Sequence, residues 1–554
     1  MKTKILFIAI LTCSITVMAQ KQFDNPIQVN RNEGEMFDLR TLDWLNAFDS
    51  LHSIMQVRYP FTEWKGINWD QKFTQTQPKI QEAQTEFDVV KFTGAMLEYL
   101  YSIPDGHIAY FGDSLFKQTT QSGSFGLNIL PISDGSIVVN IVPDSNAAYL
   151  TGIRCGDEII SWNGTPISEL PEQKVYNSSC GTMEGKLLNR YQLLCRDSVG
   201  AMVDITFVSR ETGNQHTVTL TAEADNFQLY DQSRFLTGYI PDPNNLVYHE
   251  ILDNQVGYLR LLSELCPDGL TLDSIRKTDI YLAVKEAITD FNEQNIEKLV
   301  FDLRINNGGI PLLGSAISGF FVETPLFWEY SSGSSTINFA ILDTIITVPE
   351  STHFDGEVIV IVGPNDISTG EGIPMILQRL PNVRVVSFWG TNGSFGNMYD
   401  LVVMPVEGQF FIYPYGRSYD ENMVIQLDSD SNMVGGIQPD IRIPLTVERV
   451  IEQWQDGKDV ELEYAIGLLL GIDEPIAENL SKIYPNPAFD LVTVECPDIR
   501  EVLLISPTGQ TVLHKKVDGL SSVQLSASSL PSGLYLCQII TSHMMHSQRV
   551  IIIH

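Results

Sequence analysis

The run Val358-Ile359-Val360-Ile361-Val362 enters Gly363-Pro364-Asn365 and reaches Ser368, Thr369 and Glu371. An apolar strand that turns sharply into a helix displays the side chain at the corner. A serine there has the setting hydrolases use to expose a nucleophile. The helix N-terminus behind it favours developing negative charge. Ser368 with Glu371 three positions on also reads as a capping box, and that alternative stays open at this point. A second feature is Phe301-Asp302-Leu303-Arg304-Ile305-Asn306-Asn307-Gly308-Gly309, a strand running into a double-glycine turn. Glycines let a backbone N–H approach a substrate closely, although an ordinary tight turn has the same composition. The third is His107 in Asp105-Gly106-His107. An imidazole of pKa ~6.5 can take a serine proton near neutral pH, but a lone histidine also serves as core or surface filler.

These residues need a frame to bring them together. Strands are expected over 255–262, 299–301, 357–362 and 383–388, and Tyr281, Val284, Ile288 and Phe291 mark one face of an amphipathic helix. Strands alternating with helices predict a layered α/β core over 225–470. Residues 21–117 read as helical: Val89, Phe92, Met96, Leu97 and Leu100 share a face, and Pro104 ends that helix just before His107. Residues 118–224 alternate as β-structure. From 483 to 554, after a linker at 471–482, short β runs separated by Pro507-Thr508-Gly509 and Pro531-Ser532-Gly533 predict a small Ig-like β-sandwich. The fold class expected is therefore multidomain α+β.

Composition limits what such a chain can do. Its 554 residues, at ~150 per domain, suggest three or four domains. With 35 basic and 68 acidic residues the net charge is −33, which disfavours nucleic acid and anionic membrane surfaces as partners. Residues 1–20 read as a signal peptide: Lys2 and Lys4, an apolar stretch from Ile5 to Met18, then Ala19. No later run is long and apolar enough to span a bilayer. The cysteines after the leader are scattered without a C-x-x-C, so a zinc site is not expected, and Cys496 with Cys537 is a candidate bridge. Asp428-Ser429-Asp430-Ser431-Asn432 imitates the start of a calcium loop, but Met433 and Pro439 occupy the places of the turn glycine and closing glutamate. It reads as a turn, and no metal or cofactor is expected.

Three resemblances add to this reading. Ser124-Phe125-Gly126-Leu127, followed by Ala148 through Gly152, Ile153, Gly156, Asp157 and Ile159, resembles a PDZ domain. This implies a peptide carboxylate bound on the loop's N–H groups and a peptide added to a strand edge. Ile483-Tyr484-Pro485-Asn486-Pro487-Ala488 with Gly533-Leu534-Tyr535 resembles the type A sorting domain of the type IX secretion system. That implies passage through the periplasm and outer membrane to the surface or medium. Asp105-Gly106-His107, the PDZ insertion, Asp302-Leu303-Arg304 with Gly308-Gly309, Asn365 to Glu371, and Gly436-Ile437-Gln438-Pro439-Asp440-Ile441 resemble, in that order, the tail-specific and tricorn-core serine proteases.

One branch of that family pairs its serine with a lysine about 25 residues on. No lysine occurs between Lys298 and Lys458, so the resemblance implies the histidine branch. Ser368 would attack a scissile carbonyl with His107 as base, and Gly308, Gly309 and Thr369 would form the oxyanion site. The acid orienting His107 is open among Glu371, Asp428 and Asp430, because Val434 and Gly435 stand where the family commonly has a glutamate. The expectation is a secreted serine endopeptidase acting on proteins or peptides. The alternative is an inactive relative that binds peptides or another ligand at the cell surface.

Overall fold

The computed structural model describes residues 34–170, 179–235, 242, 244–334, 339–471, 482–506, 510–541 and 545–553. The leader expected at 1–20 lies outside them.

The central sheet has the strand order Val247–Ile251, Gly257–Leu261, Lys298–Asp302, Glu357–Ile361, Val383–Ser387 and Ile441–Arg442. All neighbours are parallel after the first, antiparallel pair. Strands covered on both faces must be apolar throughout, and Val358 to Ile361 are completely buried. The helix Asp279–Glu293 covers one face with Val284, Ile288 and Phe291. The helix Val460–Leu470 covers the other. In such sheets ligands bind beyond the carboxyl ends of the strands. Those ends here run into Leu303 to Gly309 and Val362 to Ser368.

The N-terminal region contains the helices Trp44–Arg58, Trp69–Glu86 and Val89–Tyr101. Asp43, Asn68 and Asp88 cap them by accepting backbone N–H bonds. This region is not purely helical. Its strands Met36–Asp38 and Ala109–Phe111 pair with Asn397–Val403 and Phe410–Tyr419, in a second sheet completed by Leu326–Ser334 and Phe339–Thr347. His107 therefore enters on a segment hydrogen-bonded to strands from residues 397–419. Its placement depends on pairings some 300 residues apart, which local periodicity cannot reveal.

The β-rich insertion has the strand order Gln215–Thr221, Met202–Val208, Glu158–Trp162, Ile137–Ile141 and Asn128–Pro131. At the C-terminus, the long strands Leu491–Ile505 and Thr511–Ser526 pair along much of their length. Lys482–Tyr484, Gly533–Thr541 and Met545–Ile552 complete one near-closed sheet, consistent with a sandwich. Cys496 and Cys537 are both buried and free, so the expected bridge is not formed.

Candidate active site

Ser368 precedes the helix Thr369–Leu377 with φ 61 and ψ −131. A non-glycine residue there is strained, and such strain persists only where the surroundings over-determine it. The Ser368 N–H donates to the Ser394 carbonyl at 3.0 Å. Its side chain makes no capping bond, so the capping-box reading fails and Oγ remains available.

Glu371 explains the rest of that turn. Its buried carboxylate accepts from Thr391 Oγ1 at 2.5 Å, Gly393 N at 2.7 Å and Ser394 N at 3.0 Å. It braces the loop that holds Ser368 and is committed away from His107. Burial pushes its carboxyl up to about 8 against these donors.

Gly308 lies against the serine. A Cβ on it would stand 2.6 Å from the Ile367 carbonyl and 2.7 Å from Ser368 Cβ, and its φ is +72. Only glycine fits. Asn306 Oδ1 accepts the Gly308 N–H at 2.8 Å, and Asp366 Oδ1 accepts the Asn306 N–H at 3.1 Å. The Gly309 segment bridges Glu264 through Glu264 N to Gly308 O and Ile310 N to Glu264 O. Gly309 O accepts from Thr369 Oγ1 at 2.8 Å. Among the described residues these bonds leave the N–H groups of Gly309 and Thr369 without an acceptor. Arg304 anchors the strand end in a buried cluster with Asp302, Asp459 and Glu461, which gives the Asp302-Leu303-Arg304 motif a structural role.

His107 is buried on the facing turn, and Ser394 links the two turns. Ser394 Oγ accepts the Gly106 N–H at 2.7 Å and donates to Asn392 Oδ1 at 2.8 Å. Asp105 Oδ1 accepts the His107 N–H at 2.9 Å and lies 3.7 Å from His107 Nδ1. Tyr59 donates to Asp105 Oδ2 at 2.7 Å. The half-exposed Tyr399 covers the imidazole edge-on, with ring centroids 5.7 Å apart. Neither ring nitrogen has a hydrogen-bond partner among the described residues, so the serine–histidine bond is not formed in this state. Burial holds the imidazole neutral, its pKa brought down to about 4; the Asp105 charge opposes this and the Lys65 charge adds to it.

The remaining expected acids fall elsewhere. Asp428 is buried beside Lys65 at 3.5 Å and makes no ion pair with His107. Burial raises its carboxyl to about 7 despite that lysine. Asp430 accepts from Asn432 N and Val434 N, closing the turn that the sequence suggested. The residues missed in the sequence are Asp105, visible only as two positions before His107, and Lys65, which carried no signal. Lys65 Nζ donates to the Pro104 carbonyl at 2.9 Å and Ser429 Oγ at 3.1 Å, joining the histidine turn to the segment after Asp428.

In the β-rich insertion, Ser124, Phe125 and Leu127 are buried. The Phe125 N–H donates to Cys195 O at 3.0 Å and the Gly126 N–H to Ser124 Oγ at 3.1 Å. Two of the donors expected to face a peptide carboxylate are thus engaged within the domain. The helix Gln228–Phe235 also lies beside the Asn128–Pro131 strand, where Asn128 Nδ2 donates to Leu229 O at 2.9 Å.

Residues 256–443 match the model of Peptidase family S41. That segment is a serine-type peptidase domain of this family. Residues 114–181 match a PDZ domain, and 482–553 match a secretion system C-terminal sorting domain, here of type IX. The peptidase is thereby assigned protein or peptide substrates and a secreted or cell-surface location. Its fold resembles the crystal structure of mature CPAF, with TM-score 0.55, 14% identity, and 78% of this chain and 99% of that one covered. Mature CPAF complexed with lactacystin gives 0.53 at 14% identity, over the same shares. No curated protein matches the sequence. Among the described residues no helix is long and apolar enough to cross a membrane.

Proposed function

We propose that this peptidase is an exported endopeptidase that cleaves proteins or peptides through an acyl-enzyme on Ser368, with His107 as general base and Asp105 orienting it. The supporting observation is the strained Ser368 turn against Gly308-Gly309, beside two N–H groups without acceptors and linked through Ser394 to the His107 turn. Ser368 Oγ attacks the scissile carbonyl as His107 takes its proton. The oxyanion is held by the Gly309 and Thr369 N–H groups, each such donor worth ~3 kcal/mol of barrier. The intermediate collapses to the acyl-enzyme, and His107 returns the proton to the departing amine. Water then repeats the sequence and frees the acid.

A neutral imidazole at physiological pH is ready to act as base. Burial, however, penalises the cation it becomes, and Asp105 is the near carboxylate that offsets this. Catalytic hydrogen bonds often tighten only with substrate bound, which accords with the unpartnered imidazole. Peptide capture on Ser124 to Leu127 would require the loop to release its internal bonds. The export route is through the periplasm and outer membrane.

A second reading, an inactive peptide-binding relative, is favoured by the same unpartnered imidazole. A serine-reactive fluorophosphonate separates the two. The peptidase reading expects labelling of wild type and none of Ser368→Ala or His107→Ala. Folded, exported wild type that resists labelling sinks it.

A further inference from the structure

A cavity of about 370 Å³ opens where the N-terminal helices, the segment leading into the helix Met183–Leu194 and the turn after Asp428 meet. Its wall includes Lys72, Lys186, Asn68, Gln75, Ser102 and Ser431. None of the described lining residues is acidic, in a chain with 68 acidic and 35 basic residues. Lys65 also reaches this wall, but its charge is answered by Asp428. Lys72 Nζ donates to Ser102 Oγ at 2.6 Å and to Ser102 O at 3.2 Å. It has no carboxylate within ion-pair reach among the described residues. Pro104, next to Asp105, lines the same cavity, which therefore adjoins the His107 turn.

A strongly acidic protein repels acidic ligands at long range, so a cavity edged with lysines is a local reversal of potential. We propose that this cavity is a carboxylate-binding subsite for the peptide substrate, with Lys72 and Lys186 holding an acidic side chain or a free C-terminal carboxylate. The assignment rests on the peptidase reading above. Burial and the charge of Lys186 bring the Lys72 ammonium down to about 8. An anion between the two lysines relieves that repulsion and restores the charge.

The test offers a randomised peptide library to the full-length Ser368→Ala protein in two halves, one with free C-termini and one amidated. Retained peptides are then sequenced. Enrichment of about fivefold is expected, the scale of a partly screened charge pair. Acidic residues enriched in both halves identify a side chain; retention of the free half alone identifies the terminus. The preference should vanish in Lys72→Met/Lys186→Met, with its thermal transition checked against the parent, and persist in Lys277→Met, which lies outside the cavity. Equal retention of charged and neutral peptides overturns the proposal. So does a preference that survives the double substitution, or failure to retain any peptide. Failure of the peptidase reading shows separately, as loss of fluorophosphonate labelling in the wild type.

Discussion

The Ser368 turn and the His107 turn face each other but are held differently. The serine turn is over-determined: strained backbone, a glycine with no room for a Cβ, and a glutamate accepting three hydrogen bonds from the adjoining loop. The histidine turn is held through its backbone by Ser394, Asp105 and Lys65, while its ring makes no hydrogen bond. On the proposed mechanism, the serine turn is pre-set in the free protein, and the histidine is left to complete its contacts when substrate arrives. Preorganisation is concentrated where charge will develop, and latitude remains where a proton must move.

The sharpest way to break this contrast is at the histidine. Asp105→Asn is expected to lower kcat/KM about 10³-fold, the scale for loss of an orienting carboxylate. Asp105 raises the His107 pKa, so its loss moves the acid limb of the pH–rate profile further down from about 4. An unmoved limb would leave Asp105 with a merely structural role. On the serine side, Gly308→Ala forces a Cβ into Ser368 and the Ile367 carbonyl. Activity should fall about 10²-fold, with stability reduced by roughly 2 kcal/mol; kinetics and denaturant unfolding report the two effects. Glu371→Gln sets an amide N–H₂ against the Gly393 or Ser394 N–H. A loss of about tenfold in kcat with little change in KM is expected, since the loop beneath the nucleophile shifts but substrate contacts remain.

The smallest effect concerns pH and stability. Glu264 is buried behind Gly309 with one oxygen unpartnered, and burial raises its carboxyl from 4.5 to about 7. The folded state thus holds a proton that the unfolded state has lost. The associated stability is present below pH 4.5 and declines as pH rises through about 7. Glu264→Gln removes that decline, so its melting temperature should exceed wild type by a few degrees, roughly 2–4 °C, at pH 8 and match it near pH 4.5. Parallel melting curves at both pH values would remove Glu264 from the account.

How legible each turn was follows from how it is built. Val358 to Val362, Gly308 and Ser368 lie on strand ends and turns that hydrophobic runs and glycines announce locally. Even there Glu371 misled, because a capping partner and a brace for Thr391 and Gly393 share the same position three residues on. The acid for His107 was sought near Asp428 and Asp430. The neighbour that contacts the histidine is Asp105, whose role two residues away is visible only once the turn brings its carboxylate back onto the main chain.

The sequence by itself determined the order of domains, the apolar parallel strands, the serine at a strand-to-helix corner and the exclusion of a lysine following it. The strands and the serine corner rest on periodicity and spacing within a few dozen residues, whereas the domain order and the meaning of the missing lysine rest on resemblance to known families. Only the tertiary structure decided that the N-terminal segment completes the second sheet, that Glu371 braces rather than orients, that the loop at Ser124 to Gly126 closes on its own donors, and that Lys65 reaches the histidine turn. Those outcomes depend on contacts between residues tens to hundreds of positions apart, and on which polar group burial leaves without a partner. Neither quantity is carried by local pattern.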